Sequence, residues 1–100
     1  MNGQATISAD VLASYAADAA REVAGVRGLV DSPVPGRRGV RITSGDDAVR
    51  VELHLALEWG ASIPEVGLAV QTRVREYLAQ MADVPVAIVD VVVDEVGPRP

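Results

Sequence analysis

The sequence predicts an α+β fold: a two-layer sandwich in the order α-β-β-α-β, with two helices packed on one face of a three-stranded mixed sheet. Three observations lead there. Residues 8–23 and 63–81 carry apolar side chains at threes and fours, the spacing of a helix with one buried stripe. Residues 49–59 alternate apolar and polar with a period of two, the mark of a strand with one dry and one wet face. Residues 40–43 and 87–93 repeat that alternation over shorter runs. Two stripes and three strand faces bury one another if both helices lie on the same side of the sheet.

The first helix is expected after a frayed stretch, residues 1–6. Ser8 can cap a free backbone N–H, and Asp10 lies in the first turn, where negative charge suits the helix dipole. Ile7 and Leu12 occupy the two positions of a hydrophobic staple. Val11, Leu12, Tyr15, Ala16, Ala19 and Val23 form a stripe rich in alanine, which lets a partner approach closely. Gly25 is the expected stop. From there to Gly39, glycines and prolines punctuate the chain (Gly25, Gly28, Pro33, Pro35, Gly36, Gly39), so the segment reads as a connection.

The first two strands should form an antiparallel hairpin across the turn residues Ser44-Gly45-Asp46-Asp47. Val40 and Ile42 share a face with Val49 and Val51 only if the loop holds an even number of residues. A two-residue loop at 45–46 would set Arg41 against Arg50. A four-residue loop, 45–48, sets Arg41 against Glu52 and is preferred, because like charges directly opposite are unfavourable. The long strand places Val49, Val51, Leu53, Leu55, Leu57 and Trp59 on one face, with Arg50, Glu52, His54 and Glu58 on the other. Gly60 ends it. Ser62 and Glu65 then have the spacing of a capping box, and Pro64 sits in the first turn, where its missing N–H costs nothing. Ile63, Val66, Val70, Val74, Leu78 and Met81 make the second stripe, which should stop near Ala82-Asp83, before Pro85. The last strand turns Ala87, Val89, Val91 and Val93 inward; Val86, Ile88, Asp90, Val92 and Asp94 face out. Residues 97–100 are a tail, and residues 7–96 make one domain.

Composition narrows the function. A chain of 100 residues can bury roughly two-thirds of its unfolded surface in one core. That core must be aliphatic, since the sequence has no Phe, one Trp and two Tyr. The absence of cysteine excludes disulfides, thiolate metal sites and a Cys nucleophile, as expected of a cytoplasmic protein. Met1-Asn2-Gly3-Gln4 lacks the basic and apolar regions of a signal peptide. The most apolar stretch, 84–93, is too short to span a bilayer and contains Asp90. A net charge of −5 repels phosphate backbones and anionic lipid.

Candidate chemistry is sparse. His54 is the sole histidine. Without a second ligand or a nucleophile it reads as a solvated strand residue rather than a metal ligand or general base. Glu52 and Glu58 should stand roughly 20 Å apart, too far for a glycosidase pair. Asp46-Asp47 lack the spaced oxygens of a calcium loop. No Walker or dinucleotide fingerprint occurs. Catalytic, cofactor-binding and metal residues are therefore assigned to none, and no cofactor is expected. Gly36-Arg37-Arg38-Gly39 has the GxxG pattern with which KH domains clamp a nucleic-acid backbone, and Arg41 adds a third cation. A KH loop joins two helices, whereas this one leads into a strand. Phosphate contact through Arg37, Arg38 and Arg41, in a KH-like nucleic-acid-binding module, is thus the alternative reading. Val86, Ile88 and Val92 are the candidate interaction surface, because uncovered apolar groups in a cluster mark contact sites.

These segments together resemble the alkaline shock protein family of bacterial envelope stress response proteins. Ile7, Val11, Ala16, Ala20 and Glu22-Val23-Ala24-Gly25-Val26-Arg27-Gly28 are similar to its first helix and the E-V-x-G-V-x-G ending. Gly39-Val40 and the run from Val51 to Trp59-Gly60 resemble its central strand with an aromatic–glycine close. Ile63-Pro64-Glu65-Val66, Val70-Gln71 and Val74 resemble its second helix, and Val89, Val91 and Val93 its last strand. Members often carry a longer, lysine-rich stretch where this chain has the short segment 29–39, so its partner can differ. The resemblance implies a non-enzymatic cytoplasmic protein, found at the inner face of the membrane through another protein, that self-associates and helps maintain the envelope under stress.

Overall fold

The computed structural model describes residues 8–30, 39–45 and 48–97. Ser8 begins helix α1, Ala9–Arg21: its Oγ accepts the Val11 N–H at 3.2 Å. The alanines of the stripe are what the core receives, with Ala16, Ala19 and Ala20 fully buried beside Leu12. Val11 points outward, and Ile7 of the expected staple lies outside the described residues. Helix α2, Ile63–Ala82, is capped by Ser62 and closed by Asp83 in the left-handed conformation. Val66, Val70, Val74 and Leu78 are its buried line, while Ile63 and Met81 at its two ends are exposed.

The α+β class, the mixed sheet and the single helical layer are as expected. The strand count is not: four strands form, and the order is α-β-β-β-α-β. The addition is β1, Val26–Leu29, inside the segment read as connection. Strands β2 (Val40–Ser44) and β3 (Val49–Leu57) form the antiparallel hairpin. Its four-residue loop puts Arg41 opposite Glu52, and the Gly45 N–H closes on the Ala48 carbonyl at 2.8 Å. Strand β1 pairs antiparallel with the other end of β3, Leu29 opposite Leu55 and Val26 opposite Leu57. Both ends of the excursion between β1 and β2 are tied to one residue. His54 accepts the Val30 N–H at 2.9 Å through its carbonyl and donates its own N–H to the Gly39 carbonyl at 2.8 Å. In a strand the N–H and C=O of one residue point the same way. Strands β1 and β2 therefore share one edge of β3, and the sheet is three strands wide with an edge built in two pieces.

The other edge of β3 carries β4, Val86–Val96, running parallel. That settles the pairing of the last strand: it lies against the long strand, which becomes the centre of the sheet. Val51, Leu53, Leu55 and Leu57 turn to the helices and, with Val89, make the largest buried side chains besides those of α2.

Candidate functional site

The outer face of the sheet collects almost every polar side chain that the strands carry. From β3 come Arg50, Glu52 and His54. Parallel pairing places Ile88, Asp90 and Val92 beside them, in that order. The register slips at two points, once before Ile88 and once between Val93 and Glu95. The first slip corrects an expectation: Val86 packs against the core, opposite Val49, instead of facing out with Ile88 and Val92. A bulge adds one residue and inverts the alternation beyond it. The second slip makes Asp94 the extra residue and lets its carboxylate reach across to β3.

His54 is consequently held at both ends. Its Nε2 lies 2.7 Å from Oε2 of Glu52 and its Nδ1 lies 2.8 Å from Oδ2 of Asp94. A neutral imidazole has one N–H to donate; the imidazolium has two. Two carboxylates on the two nitrogens favour the charged ring. The hydrogen bond to Glu52 raises the His54 pKa most, partial burial opposes it, and Asp94 adds to the rise. The bare strand histidine read from the sequence is thus a hydrogen-bonded bridge between two strands, with its protonated form favoured. The acid on β4 was invisible because the partner of β3 was unknown. The same arrangement limits the chemistry. Both ring nitrogens are engaged by carboxylates, so neither is turned to a hydroxyl, and the acids flank the ring rather than converge with it on one point. Among the described residues no group of three such side chains could hold a metal ion.

Two further ion pairs flank this bridge. Arg50 Nε lies 3.1 Å from Asp90, and an Arg27 Nη lies 2.9 Å from Glu95. Arg27 and Glu95 also border a shallow cavity lined by Gly28, Leu29, Val30 and Ala56. Ile88 stands beside Arg50 at one end of this row and Val92 beside His54, separated by Asp90; they are 41% and 37% exposed. Of the candidate phosphate contacts, Arg37 and Arg38 lie outside the described residues, and Arg41 stands opposite the Glu52 carboxylate across the hairpin. Trp59, placed by its alternation on the inner face, sits instead in the turn after β3 and is 58% exposed.

An antiparallel hairpin, a parallel last strand and two helices on one face define a small α+β domain whose polar sheet face no element among the described residues covers. The chain belongs to the alkaline shock protein family, described as having a cell envelope-related function, whose model matches residues 1–98. It is 30% identical over 94 residues to the uncharacterized protein YqhY of Bacillus subtilis strain 168, covering 84% of this chain and 70% of that protein. Among solved structures it resembles C-terminal domains of MamM. A doubly substituted form aligns with a TM-score of 0.65 at 14% identity, over 91% of this chain and 97% of that one. A manganese form aligns with a TM-score of 0.57 at 13% identity, over 86% and 96%. At such identities the likeness is one of fold. No helix among the described residues is long and apolar enough to cross a membrane.

Proposed function

We propose that this chain is a non-enzymatic, cytoplasmic envelope stress module that self-associates and binds a protein partner, docked at the membrane through that partner. The observation that carries the reading is the open outer face. Ile88 and Val92 stand exposed in a field of side chains already paired with one another: Arg50 with Asp90, and His54 with Glu52 and Asp94. Charges already paired with one another beside exposed apolar groups suit a contact that excludes water without leaving an unpaired charge. Membership of an envelope-related family supports the setting. The engagement of both His54 nitrogens supports the non-enzymatic part.

The test is crosslinked capture from cells, separating membrane-bound from other companions, alongside light scattering of the pure protein. A membrane-fraction companion should be captured by the wild type. It should be lost from Ile88→Asp and Val92→Asp with circular dichroism unchanged, and the scattering mass should rise with concentration. A monomer at every concentration, with no companion in the membrane fraction, would sink the proposal.

A further inference from the structure

We infer that two copies of this chain join edge to edge through β4, antiparallel, with the twofold axis at Val91. The inference rests on the self-association proposed above and assigns it a surface.

Among the described residues, strand β4 pairs with β3 alone. Which of its backbone groups remain follows from alternation. The N–H and C=O of His54 point to Val30 and Gly39, so those of Val51, Leu53 and Leu55 point to β4. The partners they take there are the even residues, 88 to 92, in the slanted pattern of a parallel ladder. Val89, Val91 and Val93 then present their N–H and C=O on the far side. One hydrogen bond confirms the direction: Gln71 of α2 reaches over the edge and donates its Nε2–H to the Val89 carbonyl at 2.9 Å. The two bulges bound this edge, and between them Gln71 is the side chain that hydrogen-bonds to it. The regular stretch between the two register slips, residues 88–93, contains no Lys, Pro or Gly, the residues that usually protect an edge strand. Five of its six residues are Val or Ile.

A second strand can replace water along such a row of groups, and the side chains say in which register. Three twofold arrangements keep the free odd residues facing each other near the centre. With the axis at Asp90, Asp90 faces its own copy. With the axis at Val92, Asp90 faces Asp94. With the axis at Val91, Asp90 faces Val92 and Ile88 faces Asp94, so no acid opposes an acid. On the helix side, Val91 then meets Val91 and Val89 meets Val93. Each valine row extends the core across the junction, and Val91 and Val93 lose the exposure they retain in the single chain. Like charges directly opposite disfavour the other two registers. In the favoured one the Val93 N–H of the second copy takes the Val89 carbonyl, so Gln71 is a placeholder that the second copy displaces.

Val91→Pro is the decisive variant, because the Val91 N–H points away from β3 and a proline there removes a donor used only between copies. By analytical ultracentrifugation it should weaken dimerisation roughly thirtyfold, through loss of the two bonds across the axis, with unchanged circular dichroism. Cysteine substitution gives a second readout in a chain that has none of its own. Val91→Cys should crosslink with itself under mild oxidation. Val89→Cys and Val93→Cys should each fail alone and crosslink when mixed; this readout decides if Val91→Pro does not fold. Dimers that form equally well with Val91→Pro, or a Val91→Cys protein that stays uncrosslinked while dimeric, would overturn this surface and leave self-association standing. A wild type that is monomeric throughout would remove both.

Discussion

Nδ1 of His54 lies 2.8 Å from Oδ2 of Asp94, so residues forty apart in the chain are joined across the parallel pair at the centre of the sheet. With Glu52 on the other nitrogen, the link is an imidazole ring held between two carboxylates on neighbouring strands, an arrangement that favours its protonated form.

That link should make stability depend on pH in a definite direction. The folded pKa of His54 is raised above its ordinary value of 6.5. A raised pKa contributes stability that is fully present below the unfolded value, near pH 6.5. It is lost as pH climbs through the folded value. The carboxylates that face the ring are Glu52 and Asp94; on the same sheet face Arg50 is paired with Asp90, and Arg41 stands opposite Glu52. Urea unfolding at pH 6 and pH 9 should show wild type losing more stability on alkalinisation than His54→Gln. The difference should stay within roughly 1 kcal/mol because the ring is partly open to water. Equal slopes for the two proteins would show that the bridge is unimportant.

Gly25 joins α1 to β1 at a φ of +96°, with its carbonyl accepting the Glu58 N–H at 2.8 Å. A β-carbon there would stand 2.8 Å from Cγ2 of the buried Val66. Gly25→Ala therefore meets two costs, the left-handed backbone and the clash with α2. Together they should destabilise by roughly 2–4 kcal/mol. Thermal unfolding followed by circular dichroism checks it; a melting temperature within a degree or two of wild type contradicts the strain.

How legible all this was depended on whether the cause was local. The hairpin register followed from one repulsion, Arg41 against Arg50, and the structure has the four-residue loop that avoids it. The start of α2 followed from Ser62 and Pro64. Strand β1 was hidden because four residues beside Gly25 and Gly28 have little strand character of their own; the unused edge of β3 confers it. Val86 and Asp94 were misjudged or unconnected for a related reason. A bulge is a backbone event set by the neighbouring strand, and no side-chain period announces it. His54 looked isolated because its second acid arrives through parallel pairing, which a sequence does not display.

The centre of the sheet should be the least tolerant part of the molecule. Leu55 is fully buried and is flanked by β1 on one side and β4 on the other, opposite Leu29 and Val93. Leu55→Ala leaves a cavity that three elements would have to close at once, and should cost about 2–5 kcal/mol. Leu68→Ala, on the exposed face of α2, should change stability by less than about 0.5 kcal/mol. Chemical denaturation of the pair gives the contrast, and similar midpoints would refute the assignment of β3 as the core strand.

Gly39 tests the two-piece edge. A β-carbon at this position would stand 2.9 Å from Cβ of Leu29 and 2.9 Å from the Val30 carbonyl oxygen. The crowding is with backbone and with the root of a side chain, so a rotamer change cannot relieve it. The approach is close because Val30 and Gly39 are both tied to His54, one to its carbonyl and one to its N–H. Gly39→Ala should push the two strands apart at that point and loosen the weaker attachment, the four-residue β1, while β2 keeps its hairpin. Amide exchange should then speed up at Val30 and at Ala56 and Glu58, whose N–H groups face β1, and remain slow at Glu52, which faces β2. Uniformly faster exchange along β3 would mean that β1 and β2 are one cooperative edge, and unchanged exchange would mean that the close approach at Gly39 does not hold in solution.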